Sequence, residues 1–234
     1  RLMNNKIKFY QASTSEMYGN ATTGITLLNE KTPMIPISPY AASKLYGFHS
    51  TQIYKEAYDI FAVNGILFNH ESPLRGLEFV TRKITYELAQ IKYKKQKKFS
   101  LGNIYAKRDW GFAGDYVHAM WLMLQQEVPK DYIIATGKTH SVRSFVEKAF
   151  EVIDVKIDWV KEKEDEIGKC KKTGRDLINI NKEFNRPSET DHLLGDASLA
   201  KDEIGWEPNI DFDNLVEMMV KKDISRLEDG AVWF

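Results

Sequence analysis

The sequence predicts an α/β fold built on a doubly wound parallel sheet, and three observations carry that prediction. Short apolar runs alternate with longer stretches of helical periodicity. One of the runs, Phe61 to Phe68 (FAVNGILF), is almost continuously apolar, as a parallel strand buried on both faces requires. The 234 residues, 43% of them hydrophobic, can bury the core of one large domain or of a domain with a small lobe.

Taken in order, Ile7 to Ala12 reads as a strand that runs into an exposed Ser-Thr-Ser tip. Ser38 and Pro39 supply an N-cap and a first-turn proline, and a helical pattern follows to about Tyr58. The Phe61–Phe68 strand comes next. Helical patterns recur near 80–94, 114–126, 141–153, 197–204 and 212–225, with strand candidates near 99–101, 132–135 and 156–160. From Lys161 to Asn185 the chain is charged and irregular, and a looser lobe on the substrate side is expected there. No internal repeat and no Pro/Gly/Ser linker divides it into independent domains.

Composition excludes several classes. With 33 basic and 33 acidic residues, the chain lacks the basic excess of a nucleic-acid binder. Its single cysteine, Cys170, cannot form an internal disulfide, which fits a reducing, cytoplasmic setting. No apolar run reaches the roughly 20 residues that span a bilayer. The polar stretch Arg1 to Lys8 is no signal peptide. The five histidines show no metal-binding spacing, and no Gly-x-Ser-x-Gly elbow is present. Dinucleotide-binding folds carry a glycine-rich turn after their first strand. Here the 14 glycines are scattered, and the nearest pair, Gly111 and Gly114, follows no predicted strand. Because the chain begins on Arg1 and lacks that turn, it is expected to be part of a longer protein and inactive by itself.

Two segments carry chemistry. In Ser38-Pro39-Tyr40-Ala41-Ala42-Ser43-Lys44, a helix opened by Pro39 puts Tyr40 in its first turn and Lys44 one turn on, along the same face. A tyrosine base needs its pKa pulled down from about 10, and an ammonium and a helix N-terminus both favour the phenolate. Such a pair is also an ordinary i,i+4 surface pair. Tyr93 and Lys97 repeat the spacing inside a basic run that reads as a solvated helix end. The second segment, Ser13-Thr14-Ser15-Glu16-Met17-Tyr18-Gly19, directly follows a strand, where parallel sheets present their ligand crevice. The plainer account is a turn whose hydroxyls satisfy backbone groups.

Together these segments resemble the extended short-chain dehydrogenases that act on nucleotide sugars. Asn64-Gly65-Ile66-Leu67-Phe68-Asn69-His70-Glu71-Ser72-Pro73-Leu74-Arg75-Gly76 narrows the resemblance to the GDP-mannose 4,6-dehydratase family. Phe79 to Ile84, Leu101-Gly102-Asn103, Arg108 to Gly111, Arg186-Pro187-Ser188-Glu189, Leu194-Gly195-Asp196 and Gly205-Trp206 continue it in order over almost the whole chain. Relatives acting on dTDP-glucose usually carry Asp where this chain has Ser15.

The resemblance implies the C-terminal part of a Rossmann-type doubly wound sheet with a smaller mixed α/β substrate-binding lobe. Residues 1–160 would be the remainder of the NADP-binding domain, interleaved with substrate-site segments. Residues 161–234 would be mainly the substrate lobe and C-terminal helices. It also implies dehydration of GDP-mannose to GDP-4-keto-6-deoxymannose through NADP. Tyr40 would take the proton of the C4 hydroxyl, Thr14 would hydrogen-bond that oxygen, and Lys44 would lower the tyrosine pKa and hold the nicotinamide ribose. Glu16 would remove the C5 proton and protonate the departing C6 hydroxyl. His70 and Arg75 match cofactor contacts, and Asn69, Val80, Lys83, Arg108, Arg186 and Glu189 match the substrate site. A homodimer or homotetramer is implied, with Leu74 replacing an arginine common in the subunit-bridging loop. The segment Asn20 to Lys31 also departs from the family and looks slightly longer. Two rival readings share Tyr40 and Lys44: a nucleotide-sugar epimerase or reductase, against which Glu16 argues, and a non-catalytic sugar-binding remnant.

Overall fold

The computed structural model of the chain describes residues 7–19, 27–161, 166–184 and 192–230. In chain order the first elements are β1 (Phe9–Thr14), a 3-10 turn (Ser15–Tyr18), α1 (Pro39–Tyr58), β2 (Ala62–Leu67) and β3 (Asn69–Glu71). There follow α2 (Val80–Lys92), β4 (Phe99–Leu101), β5 (Lys107–Arg108), β6 (Trp110–Phe112), α3 (Ala113–Gln125), β7 (Tyr132–Ile134) and β8 (His140–Ser141). The remainder is α4 (Val142–Glu151), β9 (Ile157–Val160), β10 (Ile167–Cys170), β11 (Asp176–Ile180), a 3-10 turn (Lys182–Phe184), β12 (His192–Leu193), α5 (Ser198–Ile204) and α6 (Phe212–Glu228).

The chain divides into two compact units that alternate along the sequence. The first comprises Arg1–His70, Arg108–Thr139 and Ser188–Ile210, the second Glu71–Lys107, His140–Pro187 and Asp211–Phe234. This division does not follow a single boundary at 160. Residues 71–107 and 140–160 cluster with the second unit, and 188–210 return to the first.

The first unit is built on a parallel sheet of order β1-β2-β7. All six residues of β2 are buried, which is why its run is apolar but for Asn64. Strand alternation sends Val63, Leu67, Tyr132 and Ile134 to one face, where they pack with Tyr116 and Met123 of α3, Ala200 and Ile204 of α5, and Trp206. Ile66, Phe68, Ile133 and Ala135 go to the other face, against Met17, Tyr18, Leu28 and Phe48. The polar interruption in β2 is satisfied. Asn64 accepts from the Ser13 hydroxyl at 3.2 Å and donates its main-chain and side-chain N–H to Asp131 at 2.8 and 3.2 Å. Distant segments are tied in similarly: Asp115 accepts from the backbone N–H of Asn209 and Ile210, and Trp206 Nε1 donates to the Asp115 carbonyl.

The second unit has a four-stranded sheet of order β4-β11-β10-β9, and its helices α2, α4 and α6 pack on one another. Here the expectation of an irregular 161–185 is corrected, because β10 and β11 pair antiparallel and β11 runs parallel to β4. The two strands are short and mix charged with apolar residues, Ile-Gly-Lys-Cys and Asp-Leu-Ile-Asn-Ile. Their pattern is therefore too brief to stand out from a loop. Gly111 also proves to lie in a short strand, β6, with Gly114 in the first turn of α3.

Candidate active site

The two chemistry-bearing segments meet at the C-terminal end of β1. Thr14 is the last residue of β1 and caps the 3-10 turn, its Oγ1 accepting from the Glu16 N–H at 3.3 Å. That bond uses a hydroxyl lone pair and leaves the Thr14 proton to be donated elsewhere. Glu16 sits half-buried in the turn, between buried Ser15 and Met17. Gly19 closes the turn, donating its N–H to the Glu16 carbonyl. A Cβ at Gly19 would stand 2.0 Å from the Ile35 carbonyl oxygen, and its φ of +42° is one that L side chains avoid.

Helix α1 begins as its sequence requires. Ser38 Oγ accepts from the Ala41 N–H at 3.1 Å, with Pro39 at the first helical position. Tyr40 is half exposed, at 50%. Lys44 lies one turn on, its Nζ 5.8 Å from the centre of the Tyr40 ring and donating to the Ala12 carbonyl at 3.0 Å. Lys44 thus fastens α1 to β1 two residues before Thr14. The 3-10 turn packs on α1 as well. Thr14, Glu16, Tyr40 and Lys44 are thereby carried by one strand end and one helix start of the same unit.

The other Tyr-x-x-x-Lys pair has a different setting. Tyr93 is the C-cap of α2 and donates to the Glu228 carboxylate, which pushes its pKa up to about 12. A base needs the opposite shift.

Of the remaining expected residues, Asn69 and His70 open β3, just past the end of β2. The His70 Nδ1 lies 2.9 Å from the Phe68 carbonyl, which can only accept, so Nδ1 donates there. Its ring stacks on Tyr116 at 4.9 Å. Arg108 lies half-buried in β5. In the second unit, Arg75 sits in the loop before α2 with its guanidinium 3.4 Å from the Phe79 ring centre. Val80 opens α2. Lys83 Nζ rests 3.7 Å over the Phe184 ring, and burial lowers the Lys83 pKa. Arg186 and Glu189 lie outside the described residues, as does 20–26 of the segment that departs from the family pattern. Among the described residues no group of three or more His, Cys, Asp or Glu could hold a metal ion.

One residue the motif reading passed over has a clear task. Asp109 is fully buried and accepts from the Thr136 N–H and hydroxyl and the Gly137 N–H, holding the chain just after β7. Its place inside Arg108-Asp109-Trp110-Gly111 was the only signal for it.

The family model for GDP-mannose 4,6 dehydratase matches residues 1–219. The chain belongs to the GDP-mannose 4,6-dehydratase family. It is 52% identical over 230 residues to the GDP-mannose 4,6 dehydratase of Drosophila melanogaster, an alignment covering 98% of this chain and 58% of that protein. The Homo sapiens enzyme is 52% identical over 220 residues, 94% of this chain and 59% of the relative. The chain therefore spans about three-fifths of the length of these curated relatives. Among solved structures, Pseudomonas aeruginosa RMD complexed with NADPH superposes with a TM-score of 0.78 at 19% identity, over 94% of this chain and 67% of that one. The dTDP-glucose 4,6-dehydratase of Bacillus anthracis in complex with NAD gives 0.75 at 21%, over 98% and 64%. The family member thus has the Rossmann-type α/β fold expected from its parallel sheet.

Proposed function

We propose that the full-length protein dehydrates GDP-mannose to GDP-4-keto-6-deoxymannose, with Thr14, Glu16, Tyr40 and Lys44 as its catalytic residues. The observation that carries this reading is a carboxylate, Glu16, on the same strand end as Thr14 and beside the helix start that bears Tyr40 and Lys44. An alcohol dehydrogenase has use for the tyrosine and lysine but not for the carboxylate.

NADP, held by Tyr40, Lys44, His70 and Arg75, would supply the hydride acceptor for C4 of the hexose and the hydride donor for C6. The residues of this chain handle protons and orientation. Tyr40 as phenolate takes the C4 hydroxyl proton, and the Thr14 hydroxyl donates to the same oxygen. Lys44, fastened to the Ala12 carbonyl, brings its charge to the Tyr40 ring. Once C4 is a ketone, the neighbouring C5–H is acidic enough for Glu16 to remove, and the proton it gains then leaves with the C6 hydroxyl as water. When hydride adds at C6, C5 must regain a proton, and the one Tyr40 took from the C4 hydroxyl balances it and restores the phenolate.

The residues present suit NADP. Strand-end positions in a parallel sheet are where such folds bind dinucleotides, and Thr14, Tyr40 and Lys44 stand at such a strand end. We assign Tyr40, Lys44, His70 and Arg75 to the cofactor. We assign Asn69, Val80, Lys83, Arg108, Arg186 and Glu189 to the substrate, with two cations among Lys83, Arg108 and Arg186 on the diphosphate. Functionally, the first unit would carry the remainder of the cofactor-binding domain, with most of the substrate lobe in the second. Among the described residues no helix is long and apolar enough to cross a membrane. A cytoplasmic homodimer or homotetramer completes the reading.

The test is mass spectrometry of GDP-mannose incubated with the full-length protein and NADP. A product lighter by one water is expected; an isobaric epimer would sink the assignment. Glu16→Gln is expected to lower turnover by about 10²–10⁴-fold while nucleotide binding persists.

A further inference from the structure

The loop between β3 and α2, residues 72–79, is held from behind by a buried arginine to which neither the sequence motifs nor the family resemblance assigns a role. Arg82 lies in the first turn of α2 with 6% of its surface exposed. Its Nε donates to both carboxylate oxygens of Asp223 in α6, each at 2.9 Å. Its Nη1 turns the other way and donates to the main-chain carbonyls of Pro73 at 2.9 Å and Arg75 at 2.8 Å. Asp223 is fully buried and is fixed further by the Thr85 hydroxyl at 2.7 Å and Arg226 Nη1 at 3.0 Å. One guanidinium therefore couples a helix anchored in the core to the backbone of the loop.

The same loop bears Arg75, whose side chain is steered locally. Glu71 accepts from the Thr81 hydroxyl at 2.6 Å and lies 3.2 Å from Arg75 Nε. That approach is not aligned as a hydrogen bond, so charge and the face of Phe79 hold the Arg75 guanidinium rather than a directed donor. The side-chain restraints are soft, and the stiff restraint is on the Arg75 carbonyl.

We propose that Arg82, braced by Asp223, is a positioning residue for cofactor binding: it fixes the backbone from which Arg75 offers its guanidinium to an anionic dinucleotide. This rests on the assignment of Arg75 to the cofactor. Lysine cannot replace Arg82, because a single ammonium lacks the rigid fork that meets a carboxylate on one edge and two carbonyls on another.

The experiment is NADPH fluorescence titration of the full-length protein and its variants, with GDP binding as the control. Arg82→Lys is expected to raise the NADPH Kd about tenfold and leave the GDP Kd unchanged. In an Arg75→Ala background, Arg82→Lys should add nothing further. An equal loss in both backgrounds, or none in either, overturns the positioning role. If Arg75→Ala alone leaves NADPH binding intact, the assignment of Arg75 fails. The brace is then judged by amide hydrogen exchange of residues 74–79, which must quicken in Arg82→Lys and which, if unchanged, overturns it. Should Arg82→Lys fail to fold, the near-isosteric Asp223→Asn serves, with the same pattern expected at smaller amplitude.

Discussion

Two tyrosines in this chain stand four residues before a lysine, and their surroundings decide between them. Tyr93 gives its hydroxyl to Glu228, which stabilises the protonated phenol. Tyr40 has the Lys44 ammonium near its ring and sits in the first turn of α1, where the helix dipole favours negative charge. Tyr40→Phe in the full-length protein is therefore expected to lower turnover by about 10²-fold or more. Tyr93→Phe should leave turnover unchanged, as steady-state kinetics on GDP-mannose would show. At this scale the spacing alone is ambiguous. A spacing of four places two residues on one helical face whether or not anything chemical happens there, and the distinction needed the Glu228 carboxylate, 135 residues away in the chain.

Elements locate the residues proposed for catalysis by their boundaries. Ser38 and Pro39 mark the start of α1 in the sequence, and the cap forms as read. The almost continuous apolar run of β2 likewise announced a strand covered on both faces. The turn after β1 is different. Its shape depends on Gly19, whose missing Cβ lets the chain pass against the Ile35 carbonyl. Gly19→Ala has no flexible side chain to push aside, only backbone, and combines that clash with a positive φ. A loss of about 1–3 kcal/mol in urea-unfolding stability is expected, together with reduced turnover because Glu16 and Thr14 share the turn. A stability within error of the parent would show that the turn relaxes freely. The β10–β11 hairpin was the element least legible in advance. Four- and five-residue strands with lysine and aspartate on one side offer almost no periodicity to read.

At the scale of the molecule, stability is spread over contacts between segments far apart in sequence. Glu203 of α5 accepts from Lys130 Nζ at 2.7 Å and from the Tyr132 hydroxyl at 2.8 Å, which lowers its pKa from 4.5. A depressed carboxyl pKa means that the folded chain holds its proton less tightly than the unfolded chain. The stabilisation is therefore present above pH 4.5 and lost as pH falls through the folded-state value. Glu203→Gln should accordingly melt lower than the parent at neutral pH, with the gap closing as thermal scans move from about pH 5 to about pH 3. A gap that does not depend on pH would mean that the carboxylate contributes packing and not charge. The same long reach explains the alternating units. Trp206 and α5 return to the sheet because they complete, with α3, the cover over the apolar face of β2 and β7.

By itself the sequence determined the α/β class, the starts and stops of the long helices, the buried central strand and the family. Those follow from local quantities: side-chain periodicity, capping chemistry and the order of motifs. Only the tertiary structure decided that Tyr93 donates to Glu228 and that Asp109 holds the turn after β7. It also revealed the hairpin within 161–185 and the brace of Arg82 on Asp223 beneath the Arg75 loop. Each of these depends on which groups lie against one another after the chain has crossed back on itself. Burial, hydrogen-bond partners and the resulting pKa shifts are properties of that arrangement, and no window along the sequence contains them.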